Sequence, residues 1–396
     1  MIIIVIIILL TVYGNRDAKA QKGGLTLEVA LFPYVPDPAR FQTAVRDTWE
    51  REHPDVSLHF VEWDAYTSDP DSTLDVFSFD GVYLSSFAEK GYLLPIPPEK
   101  IQEREDLIPF TLAGCTCEGK LYALPQLLCA DFLYTRKDDT ALSGITDVMT
   151  LYDILGDRKT QGVTPEENEG LLVDLSDAFF TKTVMYLDAL MDKQQNYTDY
   201  NELPDTTNLS EQVLALLKTM RRMGGEEQIN FKPENDDEFV RARWFAEGKG
   251  RALIAYSEAM SAMEDRADDV IVRLFSYGTE KNIPLFYTDM VGISSNIGED
   301  KKELALELAN VLISEEVLTE MSRPVNDDDY PQYLLVARKS VYDALSRDYP
   351  IYKLLKDIVN HKENHVFRMG ADAKVFILDM EKTLSQYIGQ DNISPN

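Results

Sequence analysis

Cys129 closes the apolar run Leu124-Pro-Gln-Leu-Leu-Cys129. A thiol so placed can serve as a nucleophile, or it can be a small buried hydrophobe, and the run alone fits both. Carboxylates stand at other strand-like ends. Asp80 follows Leu74–Phe79, Glu258 follows Arg251–Tyr256, and Asp289 lies between the short apolar segments 284–287 and 290–293. Tyr66, Tyr256 and Tyr287 accompany them. In open α/β sheets, ligands bind beyond the carboxyl ends of the strands. Carboxylates accept N–H groups and tyrosine faces stack on rings, so this set suits a flat, cationic, nitrogen-rich ligand. A sugar-binding cleft would carry a similar set.

Other chemistries find little support. Of four histidines, His361 and His365 are four apart on an expected helix, a spacing that can bind zinc. Lys362 stands where the general base of that motif would be, and no third ligand is evident, so no metal is expected. His53 and His59 flank Pro54 in a helix-to-strand connection, far from a natural partnership with Cys129. There is no glycine-rich phosphate loop. Gly248-Lys-Gly250 precedes a strand, which is the wrong order for one.

The elements that must position these residues alternate. Leu25–Leu31 reads as a strand, Ala39–Glu52 as a helix with Phe41, Val45 and Trp49 on one face, and Val56–Val61 as a second strand. Leu74–Phe79 is a third strand, and the rhythm implies βαβ units with a parallel sheet. A turn is expected at Glu118-Gly119 and a strand from Asp131 to Thr135. Helical patterns dominate from about 170 to 225 and from 335 onward. Lys301–Ser314 and Glu315–Met321 could form one continuous helix.

A chain of 396 residues holds two or three domains. With 39 basic against 68 acidic residues, net −29, and no basic run, nucleic acid and anionic membrane surfaces are disfavoured as partners. The run Met1–Leu10 is too short to span a bilayer, and with Ala18-Lys19-Ala20 it fits a signal peptide lacking its usual basic start. Secretion is therefore expected. Cys115 and Cys117, one residue apart, are poorly spaced for a bridge. The stretch 326–329 is acidic without the spacing of a calcium loop and reads as a solvated turn. Asn196, Asn208 and Asn392 head glycosylation sequons that matter only in a eukaryotic secretory route.

Taken together, these residues resemble thiaminase I, also called thiamine pyridinylase. The resemblance is carried by Pro33-Tyr-Val-Pro-Asp37, Asp75-Val-Phe with Asp80, Gly91-Tyr-Leu-Leu-Pro95, Leu124-Pro-Gln-Leu-Leu-Cys129 and Arg243-Trp-Phe245. It continues through Gly250-Arg-Ala252, Tyr256-Ser-Glu258, Pro284-Leu-Phe-Tyr-Thr-Asp289, Tyr330-Pro-Gln-Tyr-Leu334 and Ala337-Arg338, spanning about residues 25–370. It implies an α/β, two-lobed fold like the type II periplasmic binding proteins, with a central ligand cleft. The expected division is a signal peptide at 1–20, one lobe from 21–133 plus about 288–335, and a second from about 134–287 plus 336–396.

The resemblance also implies roles. Cys129 matches the nucleophile that adds to the pyrimidine of thiamine, and Glu258 matches the base that activates it. Tyr66, Asp80, Tyr256, Tyr287 and Asp289 match residues that bind the pyrimidine. Thiazole would leave and be replaced by an amine or thiol, with no cofactor, in an enzyme expected to be a monomer. Phe32 and Phe239 stand where the family has tyrosine, which puts a hydroxyl hydrogen bond and the second-substrate preference in question. A free thiol titrates near ~8.5 and a glutamate near ~4.3, so Glu258 can act as base only if its pKa is raised, and the acidic cleft is expected to raise it. The competing reading on the same fold is a non-catalytic solute-binding protein for a cationic or sugar ligand.

Overall fold

A computed structural model describes residues 24–389, apart from 177–180, 198, 201–202, 234–236, 279–281, 325 and 327–328. The expected signal segment, the sequon at Asn392, Thr198 of the Asn196 sequon and the centre of the acidic stretch at 326–329 lie outside the described residues.

Thirteen strands are described: β1 (Thr26–Ala30), β2 (Ser57–Phe60), β3 (Val76–Asp80), β4 (Thr116–Cys117), β5 (Lys120–Leu121), β6 (Ala123–Cys129) and β7 (Phe132–Arg136) come first. There follow β8 (Glu167–Leu172), β9 (Gly250–Ala255), β10 (Val270–Leu274), β11 (Leu285–Ile293), β12 (Leu335–Val336) and β13 (His365–Val366). Seven of them form one sheet in the order β12-β6-β11-β3-β1-β2, with β13 on β11; four form a second sheet in the order β10-β7-β9-β8.

The first βαβ unit forms as the spacing predicts. Asp37 caps the helix Pro38–Glu52 by accepting from the Arg40 N–H, and Phe41, Val45 and Trp49 are all buried. β1 pairs in parallel with both β2 and β3. The sheet is not parallel throughout, however. β11 runs antiparallel to β3 and to β6, and β12 runs antiparallel to β6. The chain enters β6 from the tight β4–β5 hairpin, where Glu118 and Gly119 both take positive φ, instead of returning through a crossover helix.

Four further expectations are corrected. Segments 284–287 and 290–293 are one continuous strand, β11, with Asp289 inside it; all nine of its residues are buried, so no alternation marks its course. Lys301–Ser314 and Glu315–Met321 are not one helix. Lys302–Leu312 ends, Ser314 turns extended, and its hydroxyl caps Glu315–Ser322 by accepting from the Val317 N–H at 3.2 Å. The stretch beyond 335 is not all helical, since β12 and β13 interrupt it. His361 and His365 do not share a helix: Ile351–Val359 stops because the Asn364 amide ties off the carbonyls of Ile358 and Val359, and His365 enters β13 with its ring stacked on Tyr197. Cys115 and Cys117 are both free thiols, the first buried in the core.

The chain passes between the two sheets at the end of β6. Cys129 is the last residue of a strand in the first sheet, and Phe132 begins β7 in the second. It returns between Leu274, which ends β10, and Leu285, which begins β11. Among the described residues, no helix is long and apolar enough to cross a membrane.

Candidate active site

β6 reaches Cys129 through an irregularity. Cys129, Leu128 and Leu127 pair with Tyr287, Thr288 and Asp289, but Pro125 then pairs with Met290, leaving Gln126 as an extra residue. This bulge tolerates Pro125, which has no N–H to offer the ladder. Gln126 is fully buried and anchored: its amide donates to the Leu312 carbonyl at 2.8 Å, and its backbone carbonyl accepts from the Ala337 N–H. The bulge sets the phase of the last three residues of β6, and so fixes the side of the sheet to which Cys129 points.

Register then assembles four site residues. Cys129 lies opposite Tyr287, and Asp289 lies opposite Asp80. Residues directly opposite in a sheet project to the same side about 5 Å apart, and residues two apart along a strand share that side. Cys129, Tyr287, Asp289 and Asp80 therefore line one side of β6, β11 and β3.

The two aspartates differ. Asp80 has both carboxylate oxygens engaged, one accepting from the Val82 N–H at 2.9 Å and the other from the Tyr66 hydroxyl. Tyr66 is itself placed by Asp64, which accepts from the Tyr66 N–H and the Tyr34 hydroxyl, each at 2.9 Å. Burial pushes the Asp80 carboxyl up while those two donors pull it back. Asp289 is 4% exposed, and burial, then the charges of Asp80 and Glu258, push it well above the carboxylate range. Burial, followed by Asp80 and Asp289, holds the Tyr66 hydroxyl protonated.

The remaining residues come from the second sheet. Tyr256 follows β9, and the Tyr134 hydroxyl fixes its carbonyl at 2.8 Å. The Tyr256 ring meets Tyr287 edge-on, with centroids 6.4 Å apart. Ser257–Asp269 continues as tight 3-10 turns, broken at Glu264. Glu258 opens these turns and accepts from the Ser257 hydroxyl at 3.0 Å. Its carboxyl is raised to about 7. The direction is the expected one, but the cause is burial and not its acidic neighbours.

Cys129, Asp80, Tyr66, Tyr256 and Glu258 are half-buried and so retain open surface, whereas Tyr287 and Asp289 are buried behind them. Although Cys129 keeps part of its surface, burial leads in pushing its thiol well above the usual range, followed by the charges of Asp289, Glu258, Asp80 and Asp131. Each of the seven expected site residues is thus linked to at least one other of them. Sequence reading missed Asp131, taken there only as the start of a strand. An acidic residue inside the apolar run Leu127–Leu133 was the available signal. Phe32 packs edge-on against Tyr34, which in turn meets Tyr66, so it supports the site from behind. Phe239 is half-buried just ahead of the helix Val240–Ala246. Among the described residues, no three His, Cys, Asp or Glu side chains are grouped to hold a metal ion.

Residues 130–278 match the model of the Thiaminase-1 domain. Over 381 residues the chain is 42% identical to Thiaminase-1 of Paenibacillus thiaminolyticus, covering 96% of this chain and 92% of that one. The chain belongs to the thiaminase I family. Clostridium botulinum thiaminase I, solved in complex with thiamin, superposes with a TM-score of 0.90 at 42% identity over 92% of this chain and 100% of that one. Maltose-bound MalE3 of T. maritima follows at a TM-score of 0.64 and 16% identity, covering 92% and 100%, a likeness of fold alone. The thiaminase I fold is thus the α/β, periplasmic-binding-protein-like one.

Proposed function

We propose that this member of the family is a secreted thiamine pyridinylase in which Cys129 is the nucleophile and Glu258 its base. The observation that carries the reading is a half-buried thiol in the field of Glu258, Asp289 and Asp80, while the four histidines are engaged elsewhere, His53 at Glu307, His59 at Glu28, His361 at Glu363 and His365 on Tyr197. Glu258, poised at about 7, takes the thiol proton once the cationic thiamine is bound, whose charge offsets the carboxylates that otherwise hold the thiol protonated. The thiolate then adds to the thiamine pyrimidine. The bond to the thiazole breaks and its electron pair leaves with the thiazole. An amine or thiol adds in turn, surrenders its proton to a carboxylate, and Cys129 departs.

Asp80 and Asp289 face the pyrimidine nitrogens, where hydrogen bonds hold the charge that develops on addition. Tyr66, Tyr256 and Tyr287 line the ring. Two lobes, one built on the seven-stranded sheet and the other on the four-stranded sheet, close on the substrate between them. The protein acts as a monomer without a cofactor. The apolar N-terminal run ahead of Ala18-Lys19-Ala20 is the export signal.

Incubation with thiamine and pyridine or aniline separates this reading from a solute-binding protein. A pyridinylase releases free thiazole and forms the pyrimidine adduct of the added base. Retention of intact thiamine on the protein, without release, would leave only binding.

A further inference from the structure

Asp131 takes no part in the steps above, yet it lies two residues from Cys129 on the passage between the sheets. It is 8% exposed, and among the described residues no lysine or arginine pairs with it. It is nonetheless tightly held. Its carboxylate accepts from the Tyr277 hydroxyl at 2.7 Å, and its carbonyl accepts from the Phe275 N–H at 2.8 Å. Tyr277 is fully buried, and its own N–H donates to Asp192 at 2.9 Å. Asp192 also accepts from the Ser276 hydroxyl at 3.1 Å and the Ile283 N–H at 2.7 Å. The helix Thr181–Gln194, which carries Asp192, thereby pins the segment returning from β10 to β11, and that segment pins Asp131.

We propose that Asp131 is a positioning residue for the Cys129 thiol: fixed through Tyr277 and Asp192, it supplies a negative field that keeps the thiol protonated until a cation occupies the site. The groups facing Cys129 are Tyr287 and Asp289 from β11, Asp80 from β3, and Tyr256 and Glu258 from the end of β9. Those facing Asp131 are Tyr277, Tyr256, Tyr287 and, from the helix Thr181–Gln194, Asp188. None is basic. A thiolate formed in the empty site would meet uncompensated carboxylates, whereas a cationic ring beside it offsets them. The thiol is guarded from stray electrophiles, and cationic substrates are selected.

This inference rests on Cys129 being the reacting thiol, but its test does not require turnover. The rate of iodoacetamide alkylation at Cys129, read by peptide mass without substrate from pH 5 to 9, reports thiol ionisation on the limb below its midpoint. Asp131→Asn raises the rate about tenfold above about pH 7, where the wild-type carboxylate is ionised, and the gain shrinks toward pH 5 as Asp131, raised to about 6, takes up its proton. Asp131→Glu keeps the charge and the wild-type rate. Tyr277→Phe removes the donor that favours ionised Asp131, so it raises the rate only between about pH 6 and 8. A site merely loosened by substitution reacts faster by one factor at every pH. A folded Asp131→Asn protein with the wild-type rate, or with a gain that does not change with pH, overturns the proposal; should that variant not fold, a Tyr277→Phe rate equal to wild type throughout, or raised by one factor throughout, does so.

Discussion

The Glu258 carboxyl is held out of water, and burial raises it to about 7, which suits the proposed base. Activity should therefore rise as pH increases through about 7, where the residue loses its proton and becomes a base. Glu258→Gln should lower kcat/KM by about 10²–10⁴-fold and flatten that limb of the profile. A steady-state pH series on both proteins checks this, and an unchanged limb in the variant would remove Glu258 from the role. At this scale the sequence was informative where a residue's type was unusual for its setting. Cys129, Asp80, Glu258 and Asp289 stood out as polar residues at or beside apolar runs. Asp131, inside the apolar run Leu127–Leu133, carried the same signal, but its partner Tyr277, 146 positions along, left no local trace.

The elements matter through register. Asp80 meets Asp289 because β3 runs antiparallel to β11, and Gly81 lets the two approach. A Cβ on Gly81 would lie 2.7 Å from the Thr288 carbonyl oxygen, closer than such contacts allow. Gly81→Ala should lower stability by about 1–3 kcal/mol and raise the KM for thiamine, as β3 is pushed from β11. Ser314→Ala should lower stability by about 1 kcal/mol through loss of its cap, with KM unchanged. Chemical denaturation and kinetics on the pair distinguish damage at the site from damage to the fold. The first βαβ unit was legible because the periods of helix and strand are local. The antiparallel course of β11 and its continuity past Asp289 were not: full burial erases alternation, and pairing between residues 80 and 289 is decided by the whole chain.

For the whole molecule, the acidic site is a burden on the fold. A carboxyl whose pKa is higher folded than unfolded keeps its proton longer in the native state, so stability falls as pH rises between the two values. Asp131, raised to about 6, and Glu258, raised to about 7, act from about pH 4 up to those values. Melting temperature should fall from pH 5 to 7, and more gently in Asp131→Asn and Glu258→Gln. High salt screens the net charge of −29 but leaves this buried contribution, so scans at high ionic strength isolate it. An equal slope in the variants would mean that surface charge alone sets the trend.

Cys129 is proposed to carry the reaction while the surrounding carboxylates and tyrosines bind. Thiazole release from thiamine with aniline present, compared between wild type and a Cys129→Ala protein shown to bind thiamine, tests it directly. Wild type should release thiazole steadily, and the variant none above background. Equal release from both would contradict it.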